Sequence, residues 1–280
     1  MRIFVLGNAL RPGVVEQAER LLPFIKKHCQ VVLVDLEQKE DLSRHQADLT
    51  LVLGGDGAIL RAARQMGYQQ YPVLGINLGR LGFLADLGVQ ELESCLPQVA
   101  KGDFRITNHV MFECTGSHPA MGGPHLGLNE VVIHAGAPFH MIDMELQIDQ
   151  ETVCTYTADG LILSTPIGST AHNLSAGGPI INQELEAFAI TPICPHVLTG
   201  RSLVDSAGKT FQIKVTRAAF GTTLVIDGQD RFPIESGTVI TIKKAPVQFR
   251  LAKVTGKSLY KSLREKLNWG LQPNYRQEPK

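Results

Sequence analysis

Over the first hundred residues, short wholly apolar runs alternate with stretches in which apolar side chains recur every three or four positions. The runs RIFVLG, VVLVD, LTLVL and PVLGIN read as four strands buried on both faces, the pattern of a parallel sheet covered by helices. Between the first two, residues 12–27 set Val15, Ala18, Leu22 and Ile25 on one helical face, with Pro12 suited to the first turn and Pro23 expected to kink the helix. Residues 58–66 and 89–100 predict two further helices.

From Phe104 the period falls to two. FRITNHVMFECT, LNEVVIH, MELQI, GLILST, FQIKV, TLVID and VITI alternate or run apolar over strand lengths, and Asp227-Gly228 and Ser236-Gly237 mark turns between them. A last helix is predicted from Leu259 to Trp269, with Leu259, Leu263 and Leu267 on one stripe and Gly270 as its C-terminal cap. Residues beyond Gly270 read as a frayed end. The texture therefore divides the chain into an α/β segment at residues 1–103, a β-rich segment at 104–256, and a helix with tail at 257–280 that packs back on the first segment.

Composition narrows the chemistry. The 280 residues, 44% hydrophobic, suffice for a sizeable core, and 27 basic residues balance 27 acidic ones without a long run of either sign. No nucleic-acid groove or membrane-binding face is expected. Cys29, Cys95, Cys114, Cys154 and Cys194 are scattered, without metal-ligand spacing, and read as reduced thiols. The N-terminus lacks a signal-peptide pattern and no apolar run approaches the roughly 18 residues of a membrane span. A cytoplasmic protein working on small molecules is the expectation.

The candidate chemistry begins at Gly54-Gly55-Asp56-Gly57, directly after LTLVL and before a helix. That position, at the carboxyl end of a parallel strand and the amino end of a helix, suits an anion such as a phosphate. The plain alternative is a tight turn with an aspartate cap. An acid there is unexpected, because two unit charges about 4 Å apart repel by roughly 4 kcal/mol at an effective dielectric of about 20. Two roles fit a carboxylate beside a phosphate: taking the proton from an attacking alcohol, or sharing a divalent cation with the phosphates.

Two familiar loops fail on spacing. Ser206-Ala207-Gly208-Lys209-Thr210 mimics the end of a P-loop, but Leu203 stands where its first glycine belongs and a strand follows, so it reads as a hairpin turn. The glycines at 75, 79 and 82 are misspaced for a dinucleotide fingerprint. They read either as a connecting loop or as a wall facing Gly54–Gly57, with Asn77 and Arg80 able to donate hydrogen bonds to phosphate oxygens. A second polar concentration runs from Tyr156 to Pro179, longer than a turn needs. Asn129 and Glu130 interrupt an apolar strand and point to opposite faces, so Asn129 needs a partner of its own.

These segments together resemble the bacterial ATP-NAD kinases: GGDG at 54–57, NLGRLGFL at 77–84, NEVVIH at 129–134, TADGLILSTPIGSTAHNLSAGGP at 157–179 and DGQ at 227–229. The resemblance covers nearly the whole chain. It implies a Rossmann-like N-terminal α/β domain, related to the phosphofructokinase and diacylglycerol kinase folds, and a β-rich C-terminal domain, with the active site in the cleft between them. It implies transfer of the terminal phosphate of ATP, or in some members polyphosphate, to the 2′-hydroxyl of the adenosine ribose of NAD. Asp56 then matches the proton acceptor, with Gly57 beside it. Asn129, Glu130, His140, Asp159 and Gln229 match dinucleotide contacts, and Thr170, Ala171, His172, Asn173, Leu174 and Ser175 match the loop around the nucleobase. A divalent cation, Mg²⁺ first, and a homodimer or homotetramer are implied as well.

Three positions depart from the family pattern: Ala58 and Ile167 replace threonines and His172 replaces a tyrosine. Each lost hydroxyl removes a hydrogen bond worth about 0.5–1.5 kcal/mol, a size that shifts donor preference more readily than it abolishes transfer. His172 still offers an aromatic face. A GGDG-type lipid kinase and a non-catalytic NADP sensor are the alternative readings. The remaining histidines and Trp269 read as structural, the tryptophan as a packing anchor.

Overall fold

The computed structural model describes residues 1–270, except 80, 81, 86, 138, 139, 198 and 255–258 and the side chain at 43. Strands β1 (Arg2–Leu6), β2 (Gln30–Asp35), β3 (Leu49–Leu53) and β4 (Val73–Asn77) form the expected parallel sheet, in the order β2-β1-β3-β4. Helix α1 (Val14–His28) continues through Pro23, and it starts beyond Pro12 because Gly13, at φ 79°, turns the chain before the first helical residue. Helix α2 (Asp56–Met66) begins two residues earlier than the pattern predicts, so Asp56 and Gly57 belong to its first turn.

Strand β5 (Leu87–Gly88) leads into α3 (Val89–Val99). Val14, Ala18, Leu21 and Ile25 of α1 and Leu92 and Leu96 of α3 bury one face of the sheet. Ile59, Leu60, Ala62, Ala63 and Met66 of α2 bury the other, in a cluster that also takes in Met111, Leu128 and Ile167 from the β-rich part. Helix α2 is therefore pressed between the two halves of the molecule.

Twelve strands follow: β6 (Arg105–Gly116), β7 (His125–Gly127), β8 (Glu130–His134), β9 (Ile142–Ile148), β10 (Glu151–Ala158), β11 (Gly160–Ser164), β12 (Ala187–Ile193), β13 (Leu203–Ser206), β14 (Phe211–Arg217), β15 (Thr223–Ile226), β16 (Asp230–Pro233) and β17 (Val239–Lys253). Six of them make an antiparallel sheet ordered β13-β12-β11-β8-β15-β16. The others join the parallel strands in one sheet through the 15-residue β17, which runs antiparallel to β6 and β14 and meets β4 in parallel at Leu251 and Val73. The two sheets face each other across a core holding Phe112, Phe188 and Phe211, each 0% exposed. The turn at Ser206–Lys209 is tight but not a hairpin: it carries the chain from β13 in one sheet to β14 in the other, held by Lys209 N–H on the Ser206 carbonyl at 3.2 Å.

Helix α5 (Leu259–Leu267) stops two residues short of the predicted end, where Asn268 takes φ 50°. Leu263 anchors it at 1% exposure, whereas Trp269, expected as a packing anchor, is 54% exposed. No described helix is long and apolar enough to cross a membrane.

Candidate active site

In a sheet ordered β2-β1-β3-β4, the chain leaves β1 and β3 in opposite directions, which opens a crevice at the carboxyl ends of those two strands. A cleft of about 580 Å³ lies there, walled by Asn8 and Arg11 after β1, Gly54, Gly55 and Gly57 after β3, and Asn77 at the end of β4. Asp227 and Gln229 close it from the β-rich half. Gly54 has φ 145°, and a Cβ there would stand 2.8 Å from that of Ala58, so the turn into α2 needs glycine. The N–H groups of Gly55, Asp56 and Gly57 donate to no acceptor among the described residues, and no atom lies within 4 Å of a Cβ built on Gly55 or Gly57. Open amides at a helix N-terminus, with room for close approach, make an anion seat.

The carboxylate of Asp56 faces away from that seat into the NLGRLGFL segment. Its Oδ2 accepts from the Phe83 N–H at 2.7 Å, and its Oδ1 accepts from Leu84 at 2.9 Å and Ala85 at 3.0 Å. Gly82 is required here, since a Cβ on it would fall 2.0 Å from Oδ1. The sequence suggested a bare acid beside a phosphate; the structure supplies three amides that hold the acid in place, which answers how a carboxylate survives at an anion site. Asn77 lines the cleft, with its Oδ1 accepting from Gly79 N–H at 2.8 Å; Arg80 lies outside the described residues.

Across the cleft, Asp227 organises the Asn129-Glu130 pair. It sits in a turn with φ 48°, followed by Gly228 at φ 68°, and is 5% exposed. Its carboxylate accepts from the N–H groups of Leu128 at 2.8 Å, Asn129 at 2.8 Å and Glu130 at 3.1 Å. Burial pushes Asp227 up to about 6, against the lowering pull of those amides and of Arg64. Glu130, 6% exposed, is pushed up to about 8 by burial and by the neighbouring Asp227 charge. Asp227 has the donors and keeps the charge; Glu130 keeps the proton, since its Oε2 has no partner. Asn129 Oδ1 is also buried without a partner, so two polar atoms at this end await one.

Arg64, about two turns along α2 from Asp56, ties the halves together: Nη1 donates to Gln229 Oε1 at 2.8 Å and Nη2 to Asp230 Oδ2. The sequence signalled Gln229 but not Asp227 or Arg64, although an Asp-Gly turn with both residues at positive φ was a signal for the former.

The polar segment 164–175 runs along β8. Thr165 Oγ1 donates to the Leu128 carbonyl at 2.6 Å, and Gly168 packs so closely on the Asn129 carbonyl that a Cβ would be 2.2 Å away. Asn173, 0% exposed, bridges Ser169 and Pro179 carbonyls with its amide and accepts from Thr191 Oγ1 at 2.7 Å. It braces the loop from inside, whereas Thr170, Ala171, His172 and Leu174 are partly exposed and Ser175 is exposed. Ile167, where the family has threonine, is 4% exposed and packs in the α2 cluster. At the far end of β8 the His172 ring stacks on His134, centroids 5.4 Å apart at 23°. Asp159, exposed, adjoins that end through its carbonyl, which accepts from Ala135 N–H at 2.8 Å. His140 is exposed and is not among the residues lining the cleft. Of the candidates, Gly57 and Gln229 line the cleft; Asp56 adjoins it with its carboxylate on residues 83–85, Asn129 and Glu130 adjoin it through Asp227, and a distal group lies around His172 and Asp159. Four residue steps of β8 separate the two groups, about 13 Å.

Comparison with known proteins agrees with this geometry. Residues 35–104 match the family model for the ATP-NAD kinase N-terminal domain, and residues 128–254 that for the ATP-NAD kinase C-terminal domain. An NAD kinase of Rhodopirellula baltica is 45% identical over 96% of this chain and 86% of its own length, and one of Geotalea daltonii is 39% identical over 90% of each. Among solved structures, an Archaeoglobus fulgidus NAD kinase in complex with ATP superposes with a TM-score of 0.77 at 28% identity, covering 96% of this chain and 99% of that one. A yeast NADH kinase complexed with NADH shares the fold, with a TM-score of 0.89 at 23% identity over 100% of this chain and 90% of that one. With the glycine turn, the switch-point cleft and both family domains in place along one chain, this protein belongs to the NAD kinase family.

Proposed function

We propose that this chain transfers the terminal phosphate of ATP to the 2′-hydroxyl of the adenosine ribose of NAD, giving NADP, with Asp56 as the proton acceptor. The observation that carries the reading is the pairing of an anion seat at Gly55–Gly57 with a fixed carboxylate on the same helical turn. Of the four lone-pair directions of an ionised carboxylate, three meet amides, which leaves one for the ribose hydroxyl. Phosphoryl transfer asks little covalent chemistry of the protein; orienting the alcohol and receiving its proton late in the step suit a held, ionised acid. The open amides, with Arg11 at the rim, balance charge on the transferred group.

Glu130 and Asn129 are the first dinucleotide contacts, one offering a carboxylic O–H and the other an unpartnered carbonyl oxygen. Gln229, held by Arg64, closes that end. Thr170, Ala171, His172, Leu174 and Ser175, braced by Asn173, and Asp159 and His140 beyond them, serve the remainder of the dinucleotide along β8. The lobes at 1–103 and 104–256, with α5 (Leu259–Leu267) of the 257–280 segment returning to the first, supply the two walls.

A divalent cation, Mg²⁺ first, would be held chiefly by the substrate phosphates rather than by a cage of protein side chains. The ion neutralises charge on the phosphates when bound. A homodimer or homotetramer in the cytoplasm is proposed on the family resemblance. Purified protein given NAD, Mg²⁺ and either ATP or polyphosphate is expected to form NADP. Tight NADP binding with no turnover on any donor overturns the enzyme reading in favour of a sensor.

A further inference from the structure

Helix α5 reaches the segment that holds Asp56. Its Lys266 places Nζ 3.7 Å from the centroid of the Phe83 ring, well inside the roughly 6 Å range of a cation on an aromatic face. Phe83 donates its backbone N–H to Asp56 Oδ2 at 2.7 Å, and the next two amides hold Oδ1. Lys266 follows the buried Leu263 by three residues, so both project from one side of the helix: one is sunk in the core and the other lies on the loop. The loop has little slack of its own, since Gly82 N–H returns to the Ala85 carbonyl at 3.2 Å and Gly82 is packed against the carboxylate.

We infer that Lys266 is a positioning residue for the transfer step: through Phe83 it clamps the amides of residues 83–85 onto the Asp56 carboxylate and so fixes the one lone pair left for the ribose hydroxyl. The inference rests on Asp56 being the proton acceptor. A competing explanation needs only the helix, because a lysine in the last turn also offsets the C-terminal dipole of α5. That role stabilises α5 without touching the loop or the rate of transfer.

Three measurements separate the cases, using full-length protein. Lys266→Met keeps the apolar stem and removes the cation, whereas Lys266→Arg keeps a cation able to sit on the ring. The clamp predicts that kcat for NADP formation falls roughly three- to tenfold in Lys266→Met, with KM for NAD within about twofold, and that Lys266→Arg recovers most of the loss. Hydrogen exchange of the backbone amides at 83–85 should quicken in Lys266→Met by a similar factor and stay near wild type in Lys266→Arg. In an Asp56→Asn background, Lys266→Met should change kcat no further. Unchanged exchange at 83–85, or faster exchange with unchanged kcat, overturns the positioning role. If Asp56→Asn alone keeps wild-type turnover, the base assignment falls instead, and the exchange measurement still reports on the contact.

Discussion

At the residue scale, the buried acid pair carries a pH signature. Glu130 titrates at about 8 in the folded chain, above the ordinary carboxyl value near 4.3, so the folded protein holds a proton that the unfolded chain has released. Stability from this group is complete at low pH and is lost as pH rises toward and through 8. Asp227, at about 6, contributes in the same direction but is spent earlier, while buried His109 and half-buried His134, both held below the ordinary imidazole value, act oppositely below about pH 7. Subtracting the stability of Glu130→Gln from that of wild type isolates the glutamate. Between pH 6 and 8, denaturant unfolding should show wild type losing up to about 1.4 kcal/mol per pH unit relative to the variant. Parallel curves would show that Glu130 is ionised and partnered.

Gly82 makes a second test at this scale. A methyl group 2.0 Å from Asp56 Oδ1 has to displace either the carboxylate or the loop. Gly82→Ala should lower kcat roughly tenfold to a hundredfold, as misplacement by about an ångström does, with the circular dichroism spectrum retained. Wild-type kcat in that variant would mean that the Asp56 contact with residues 83–85 is dispensable.

At the scale of elements, α2 is the part on which both halves converge. Its first turn forms the anion seat, its apolar face enters a shared cluster, and Arg64 in its last turn grips Gln229 and the first residue of β16, Asp230. The Arg64–Asp230 pair is only 26% and 27% exposed, so it is screened less than a surface bridge. Arg64→Ala should lower stability by about 1–2 kcal/mol in chemical denaturation and raise KM for NAD, because Gln229 loses its anchor. A stability change under about 0.3 kcal/mol would reduce the clasp to a surface contact.

The elements were largely legible in the chain, and the reason is local. The period of apolar positions fixes strands and helices, and the glycine turn after LTLVL shows itself within seven residues. What stayed hidden depends on distance along the chain. Asp56 meets amides 27–29 residues away, and Asp227 meets amides 97–99 residues away. Nothing near either residue signals those partners. The bracing bonds of Asn173 to Pro179 and Thr191 were equally hidden, since a polar residue in a polar loop has the same appearance whatever it bonds to.

At the scale of the whole molecule, the change of texture at Phe104 reflects a real change of architecture, yet β17 runs through it and makes one sheet of both kinds of strand. A cleft built this way has one wall on the parallel sheet and one on the β-rich half, with α2 as the shared floor. The chemistry assigned to it reduces to one proton acceptor. The most direct test compares single-turnover NADP formation by wild type and Asp56→Asn, with NAD affinity measured separately on both. The account predicts an affinity within about threefold and a transfer step slowed by roughly 10² to 10⁴. Transfer by Asp56→Asn at the wild-type rate would contradict it.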